Sequence, residues 1–216
     1  MANVNSGDKK ISAAVIKRLP RYYRYLSDLI DSGATRVSSK ELSETMNTTA
    51  SQIRQDLSNF GCFGQQGYGY NVVTLYEEIK NILGLKKLYS VAIIGAGNLG
   101  QALFNYSGFG KRGFYFVGMF DIDESVIGKT FGNVTVTHLD TLSEFLKNND
   151  VDIAALTIPS HAATEVSEII FKTNIKGIWN FSHADLDAPE GICVENVHLT
   201  DSLMILSYRL KEGIVL

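Results

Sequence analysis

The chain has 216 residues, 45% of them hydrophobic and 20% charged, a globular composition with enough apolar content for a core and room for one large domain or two small ones. No stretch approaches the roughly 20 apolar residues of a membrane-spanning helix, and Met1–Lys10 lacks the apolar run of a secretion signal, so a cytoplasmic protein is expected. The net charge of −3 is unevenly divided, +2 over residues 1–85 and −5 over residues 86–216. Lys9, Lys10, Lys17, Arg18, Arg21 and Arg24 form a basic run with no acid among them, which reads either as a phosphate-facing surface or as a solvated helix face. Cys62 and Cys193 lie far apart and argue against a disulfide scaffold. They read as two unremarkable thiols or as a redox pair.

Ile11, Val15, Leu19, Tyr22, Leu26 and Leu29 recur at helical spacing, so Lys9–Asp31 is expected to be an amphipathic helix, kinked or split at Pro20 and closed by Gly33. Ser38 with Glu41 forms a capping box that opens a helix running to about Met46. Asn47-Thr48-Thr49 is a turn, and Ala50–Asn59 a second helix; two short helices on a tight turn have the shape of a helix-turn-helix. Glycines alternating with aromatics from Cys62 to Val72 suggest a β-hairpin, which would make the unit a winged helix. Thr74 and Glu77 form another capping box, for a helix ending at Gly84. Leu85–Ser90 then reads as the domain boundary.

From Ser90 the texture changes to β-α-β alternation. Strands are expected near 91–94, 114–120, 134–137, 152–158, 177–181 and 192–195. Helices are expected near 99–106, 141–147 and 162–173. This pattern predicts an α/β fold with a Rossmann-type, doubly wound parallel sheet. A last helix, Thr200–Leu210, carries Leu203, Leu206 and Leu210 on one face. The expected organisation is a DNA-binding unit over 1–85, a dinucleotide-binding unit over 86–198 and a C-terminal helix over 199–216.

Gly95, Ala96, Gly97, Asn98, Leu99 and Gly100 spell G-x-G-x-x-G between an apolar strand and a helix, the context in which the motif signals a dinucleotide site. Gly95 permits the tight turn, Gly97 the approach of a pyrophosphate, and Gly100 close packing of helix on strand. The helix N-terminus offers N–H groups to the phosphates. Asp121, ending the next strand, stands where an acid holds the ribose hydroxyls, and no adjacent cation would neutralise a 2′-phosphate, so NADH and NAD⁺ are expected over their phosphorylated forms. A coenzyme A site and a plain structural turn are the other readings. Thr157, Pro159, Asn180 and Phe181, on later strand ends, are expected to complete the cofactor site. His138, His161, His183 and His198 show no metal-ligand spacing, so no metal is expected. A His183–Asp185 pair leaves a dehydrogenase with an accessory winged helix as the alternative function.

In a winged helix the second helix of the turn motif enters the major groove. Here it carries Gln52, Arg54 and Gln55; arginine can bond guanine bidentately and glutamine can read adenine. Ser38, Ser39, Lys10, Gln66 and Tyr68 are the further expected DNA contacts. Arg18–Arg24, Arg36–Ser39, Ile53–Gly61, Gly67–Tyr70, Gly95–Leu103 and Gly177–Phe181 together resemble, in order and over nearly the whole chain, the Rex family of bacterial redox-sensing transcriptional repressors. The resemblance implies a non-enzymatic homodimer with a domain-swapped C-terminal helix. It implies release from palindromic operator DNA by NADH, competition by NAD⁺, and control of NADH-reoxidation and fermentation genes. It places Tyr106 near the nicotinamide and Arg24 in an inter-subunit polar network with it. The family often has an acid where this chain has His198, so that pairing would pass to Asp201 or to a neutral hydrogen bond of His198.

Overall fold

The computed structural model describes residues 11–60, 64–65 and 68–214, with the side chains of Gly64 and Gln65 left aside. The expected DNA contacts Lys10 and Gln66, and Cys62, lie outside the described residues. The chain divides into two compact units at Lys86/Lys87.

The first unit opens with α1 (Ala13–Asp31), capped by Ser12, whose hydroxyl accepts from the Val15 N–H. Of the two expectations at Pro20, the split does not occur, and the helix runs through the proline. Leu19, Tyr22, Tyr23 and Leu26, on both sides of the proline, all enter one core, and that burial outweighs the single ladder hydrogen bond proline removes. Strand β1 (Arg36–Val37), α2 (Ser39–Met46), α3 (Ala50–Ser58), β2 (Gly64–Gln65), β3 (Gly69–Asn71) and α4 (Val72–Ile82) follow. The capping box at Ser38 and Glu41 forms in both directions, and Thr49 caps α3. The strands form an antiparallel sheet in the order β1-β3-β2, completing a winged helix. Gly69 has φ +68°, and a Cβ there would stand 2.6 Å from the Val37 carbonyl oxygen, so this crossing of β3 over β1 requires glycine. The box expected at Thr74 does not form; Asn71 caps α4 by accepting from the Thr74 N–H. Val72 and Leu75 are both fully buried, and the helix starts early enough to turn both inward.

The second unit contains β4 (Tyr89–Ile94), α5 (Asn98–Asn105), β5 (Phe114–Asp121), β6 (Thr130–Phe131), β7 (Val134–His138), α6 (Leu142–Asn148), β8 (Ile153–Leu156), α7 (Ser160–Phe171), β9 (Gly177–Asn180), β10 (Cys193–Asn196) and α8 (Leu199–Glu212). The sheet order is β10-β9-β8-β4-β5-β7-β6, parallel throughout except for the short edge strand β6. Residues 91–94 of the central strand β4 are almost fully buried, as a strand covered on both faces must be. One face of the sheet packs against α6 and α7 through Ala92, Ile94, Leu146, Leu156 and Ile170. The other carries Val91, Ile93, Met119 and Ala155 beneath α5. Between β8 and β10 this second face stays open as an apolar cavity of about 480 Å³, lined by Phe109, Phe116, Ile153, Trp179 and Val194 among others. Every residue of α8 is exposed, including Leu203, Met204, Ile205, Leu206, Tyr208 and Leu210.

Candidate nucleotide and DNA sites

The glycine turn sits at the C-terminal edge of the sheet, where strand order reverses between β4 and β8, the place open α/β sheets bind ligands. Gly95 has φ +104°, and a Cβ on it would stand 2.7 Å from the Thr157 carbonyl oxygen. A Cβ on Gly100 would collide with the Gly95 carbonyl oxygen, whereas one on Gly97 would meet nothing within 4 Å. Two glycines are thus demanded by the fold, and the middle one faces open space. Gly97 is the N-cap of α5 and makes no side-chain cap bond, so the first N–H groups of that helix keep the donors and positive dipole end that favour a phosphate.

Asp121 ends β5 beside this turn. One carboxylate oxygen accepts from the Ala96 N–H at 2.6 Å, the other from the Ile122 and Asp123 N–H groups at 2.7 and 3.0 Å. The acid therefore braces the turn. Thr157 holds the opposite wall, its hydroxyl within reach of the Ile94 and Gly95 carbonyls at 3.0 and 2.7 Å, and Pro159 opens α7 at the rim. Asn180 is placed differently from expectation. It is 1% exposed; its amide donates to the Ala184 carbonyl and the Asn196 side chain, and its oxygen accepts from the Ser182 N–H and hydroxyl. All of its hydrogen-bonding capacity is engaged, so it shapes the loop after β9 rather than offering atoms to a ligand. Phe181 is buried against Trp179.

Tyr106 lies at the far end of α5, about 12 Å of helix from the glycine turn. It is exposed, crosses Gly108, and meets Phe109 edge-on; Phe109 in turn meets Trp179. His183 does not pair with Asp185. Its Nδ1 lies 2.9 Å from Nδ1 of His198, the residue that opens α8, and His183 holds a left-handed φ of +61°. Arg24 is exposed on α1.

In the winged helix, α3 presents Ser51, Arg54, Gln55 and Ser58 as an exposed stripe. Ser51 went unrecognised in the sequence because serine carries no readout signature of its own; its i, i+3, i+4 spacing with Arg54 and Gln55 is the signal that finds it. Arg54 Nη1 donates to the Ser39 hydroxyl at 3.0 Å, linking two expected DNA contacts across α2 and α3. Tyr68 is 69% exposed at the wing. Arg36 lies 5.8 Å from its ring centroid and donates to its carbonyl, which adds a wing cation the sequence analysis had not assigned.

The basic run is partly diverted. Arg18 grips Asp56 of α3 with two hydrogen bonds of 2.6 and 2.7 Å, joined by the Tyr22 hydroxyl at 2.8 Å and Gln52 Nε2 at 2.7 Å. Asp56 has no exposed side-chain surface. Burial works against its charge, but donation from Arg18, Gln52 and Tyr22 outweighs it and holds the carboxyl below its ordinary 3.8. Burial against the same carboxylate pushes the Tyr22 hydroxyl far above its ordinary range.

Two family models match the chain, a putative DNA-binding protein N-terminus over residues 10–58 and a CoA binding domain over residues 86–184. The redox-sensing transcriptional repressor Rex of Clostridioides difficile is 56% identical over 96% of this chain and 99% of its own length. That of Caldicellulosiruptor saccharolyticus is 52% identical over 96% and 94%. The chain belongs to the Rex family of redox-sensing transcriptional repressors. Among solved structures, the Rex-family repressor RSP in complex with β-NAD⁺ and operator DNA is 52% identical, with a TM-score of 0.88 over 94% of each chain. RSP in complex with β-NADH is 48% identical, with the same TM-score over 94% and 96%.

Two predictions test this Rex architecture. Arg18→Ala leaves the buried Asp56 charge without its main partner and should cost about 2–3 kcal/mol in urea unfolding, discounted from a fully buried pair because Arg18 is partly exposed. Because the folded pKa of Asp56 is depressed, its stabilisation is complete above pH 3.8 and is lost as pH falls through the lower folded value. Asp56→Asn should therefore flatten that part of the acid limb. At the glycine turn, Gly97→Ala should change thermal stability by no more than about 1 kcal/mol, whereas Gly100→Ala should prevent normal folding, both read by thermal melts.

Proposed function

We propose that this chain is an operator-binding repressor of the cytoplasm, working as a homodimer that NADH releases from DNA and NAD⁺ leaves bound. The observation that carries the reading is the open face at Gly97 on the uncapped N-terminus of α5, in one chain with the exposed α3 stripe. RSP, crystallised with β-NAD⁺ and operator DNA and with β-NADH, supports it. Gly95–Gly100 would hold the pyrophosphate and Asp121 the adenosine ribose. Thr157, Pro159 and Phe181 would wall the other half, and Tyr106 would meet the nicotinamide if the dinucleotide lies along α5. Ser38, Ser39, Lys10, Gln66, Tyr68, Arg54, Gln55 and Gln52 are the proposed DNA-facing set, to which Ser51 and Arg36 are added. Genes of NADH reoxidation and fermentation are the expected targets.

The nicotinamide differs in charge and planarity between the two redox forms, and only such differential contacts can shift a conformational equilibrium. Tyr106, Arg24 and His198 are the proposed route to the DNA-binding unit, and coupling must be reciprocal. The C-terminal helix over 199–216 is proposed as the swapped dimerisation element. A 14-residue helix with no buried residue is marginal alone in water, and its exposed leucines and Met204 call for a second copy.

The match to a CoA binding domain favours a second reading, in which coenzyme A takes the same turn. Asp121 opposes it, since a carboxylate beside the adenosine ribose repels a ribose phosphate. Titration of NADH, NAD⁺, NADPH and coenzyme A into a preformed protein–operator complex, read by anisotropy, separates the readings. NADH should release DNA at the lowest concentration, and Gly97→Ala should raise that concentration at least about tenfold. Asp121→Ala should narrow the NADH–NADPH gap, and Tyr106→Phe and Arg24→Ala should blunt release more than they weaken ligand-free operator binding. Release by coenzyme A alone would replace the redox reading. Removal of residues 199–216 should abolish the dimer in sedimentation; a truncated chain that still sediments as a dimer and binds operator would show that no swap is needed.

A further inference from the structure

Three glycines fall in the segment that joins α5 to β5, and the structure treats each differently. Gly113 holds a φ of +85°, so the backbone itself calls for glycine there. A Cβ on Gly110 would meet only the Tyr115 ring, at 4.0 Å, an ordinary contact. Gly108 has no left-handed φ, so its backbone conformation would accept a side chain. The space for one is already taken. A Cβ there would overlap Cε1 of Tyr106 and stand 2.6 Å from its Cζ and 2.8 Å from its phenol oxygen. The three nearest atoms thus all belong to one side chain, and none to the backbone.

The turn beneath the ring is tied down. The Phe109 N–H donates to the Tyr106 carbonyl at 3.4 Å and the Arg112 N–H to the Phe109 carbonyl at 2.9 Å. Arg112 Nη1 donates to the Gly108 carbonyl at 2.9 Å. Tyr106, by contrast, is 59% exposed, so its ring has solvent to turn into. A methyl group at position 108 would therefore be accommodated by moving the ring and not the turn. The edge-on contact of Tyr106 with Phe109, 5.1 Å between centroids, would be lost with it.

We propose that Gly108 is a positioning residue for nicotinamide recognition: its bare α-carbon seats the Tyr106 ring against Phe109, and a side chain there would unseat the ring while leaving the fold intact. A ring already in place loses less rotamer freedom when a ligand arrives, which favours binding. Gly97 leaves room for the ligand, whereas Gly108 leaves room for the residue that would meet it.

The inference rests on the role proposed above for Tyr106, and the test separates the two. NADH and ADP-ribose, which lacks the nicotinamide, are titrated by calorimetry into the full-length parent, Gly108→Ala, Gly110→Ala, Tyr106→Ala and the Gly108→Ala/Tyr106→Ala pair. Gly108→Ala should weaken NADH binding about 3- to 10-fold, the worth of one aromatic contact. It should leave ADP-ribose binding unchanged and melt at or slightly above the parent temperature, as alanine does where the backbone accepts it. Gly110→Ala should match the parent with both ligands. In the Tyr106→Ala background Gly108→Ala should add nothing, because no ring is left to displace. A loss of equal size with and without the tyrosine would overturn the inference. So would a matching loss of ADP-ribose binding, or a marked drop in the melt, since the turn rather than the ring would then have moved. Parental NADH binding by Gly108→Ala beside weakened binding by Tyr106→Ala would overturn it too, and would leave the reading of Tyr106 standing. Parental NADH binding by Tyr106→Ala would overturn that reading and this inference with it.

Discussion

A buried carboxylate must be matched donor for donor, and Asp56 meets that requirement through four hydrogen bonds, two to each oxygen. Two of the donors come from Arg18 and one from Tyr22, so the charge cannot be satisfied unless α1 lies across α3 in one register. The surrounding contacts of Leu19, Leu26, Ile53 and Leu57 supply cohesion, but apolar contacts alone tolerate small slides and rotations. Directional bonds to a fully covered charge do not. The rotation of α3 about its own axis, and with it the direction in which Ser51, Arg54 and Gln55 face, is therefore set from inside the unit.

The second unit solves a different problem with the same economy of parts. A pyrophosphate needs backbone N–H groups with nothing in front of them. The turn clears that space by crowding its other side: Gly95 and Gly100 lie against Thr157 and against each other, while Gly97 faces outward. Asp121 then ties the turn to β5 through the Ala96 N–H. Because β4, β5 and β8 all end at this edge, the supports on either side of the turn belong to the most buried strands of the sheet.

Much of this was legible in the residues, for reasons that follow from length scale. Ser38 with Glu41, and the G-x-G-x-x-G turn after an apolar strand, are local patterns whose chemistry is complete within six residues, and both formed as read. Features that depend on distant partners were misread or missed. Arg18, whose basic run read either as a phosphate-facing surface or as a solvated helix face, is held by a partner 38 residues away. Asn180 looked like a ligand contact, but the loop after β9 and Asn196 take up its amide. The cap at Asn71 displaced the pattern at Thr74 because burial of Val72 and Leu75 decides where α4 begins. Strands β1 and β6 are two residues each, too short for any period to show, and exist only because β3 and β7 offer an edge.

The chain contains a single tryptophan, Trp179, in β9 of the nucleotide-binding unit, its ring meeting Phe109 at 5.4 Å and Phe181 at 4.6 Å between centroids. Phenylalanine neither absorbs indole light nor quenches it efficiently, so this cage leaves the emission intact, while the winged helix contributes only tyrosine fluorescence. Reduced nicotinamide absorbs in the band where indole emits; the oxidised form does not. A dinucleotide held at the nearby strand ends would accept excitation energy from Trp179 in one redox state and not in the other. If the proposed dinucleotide binds there, the unlabelled protein would carry an optical gauge of its ligand's oxidation state, set in β9 beside the edge strand β10 of the sheet.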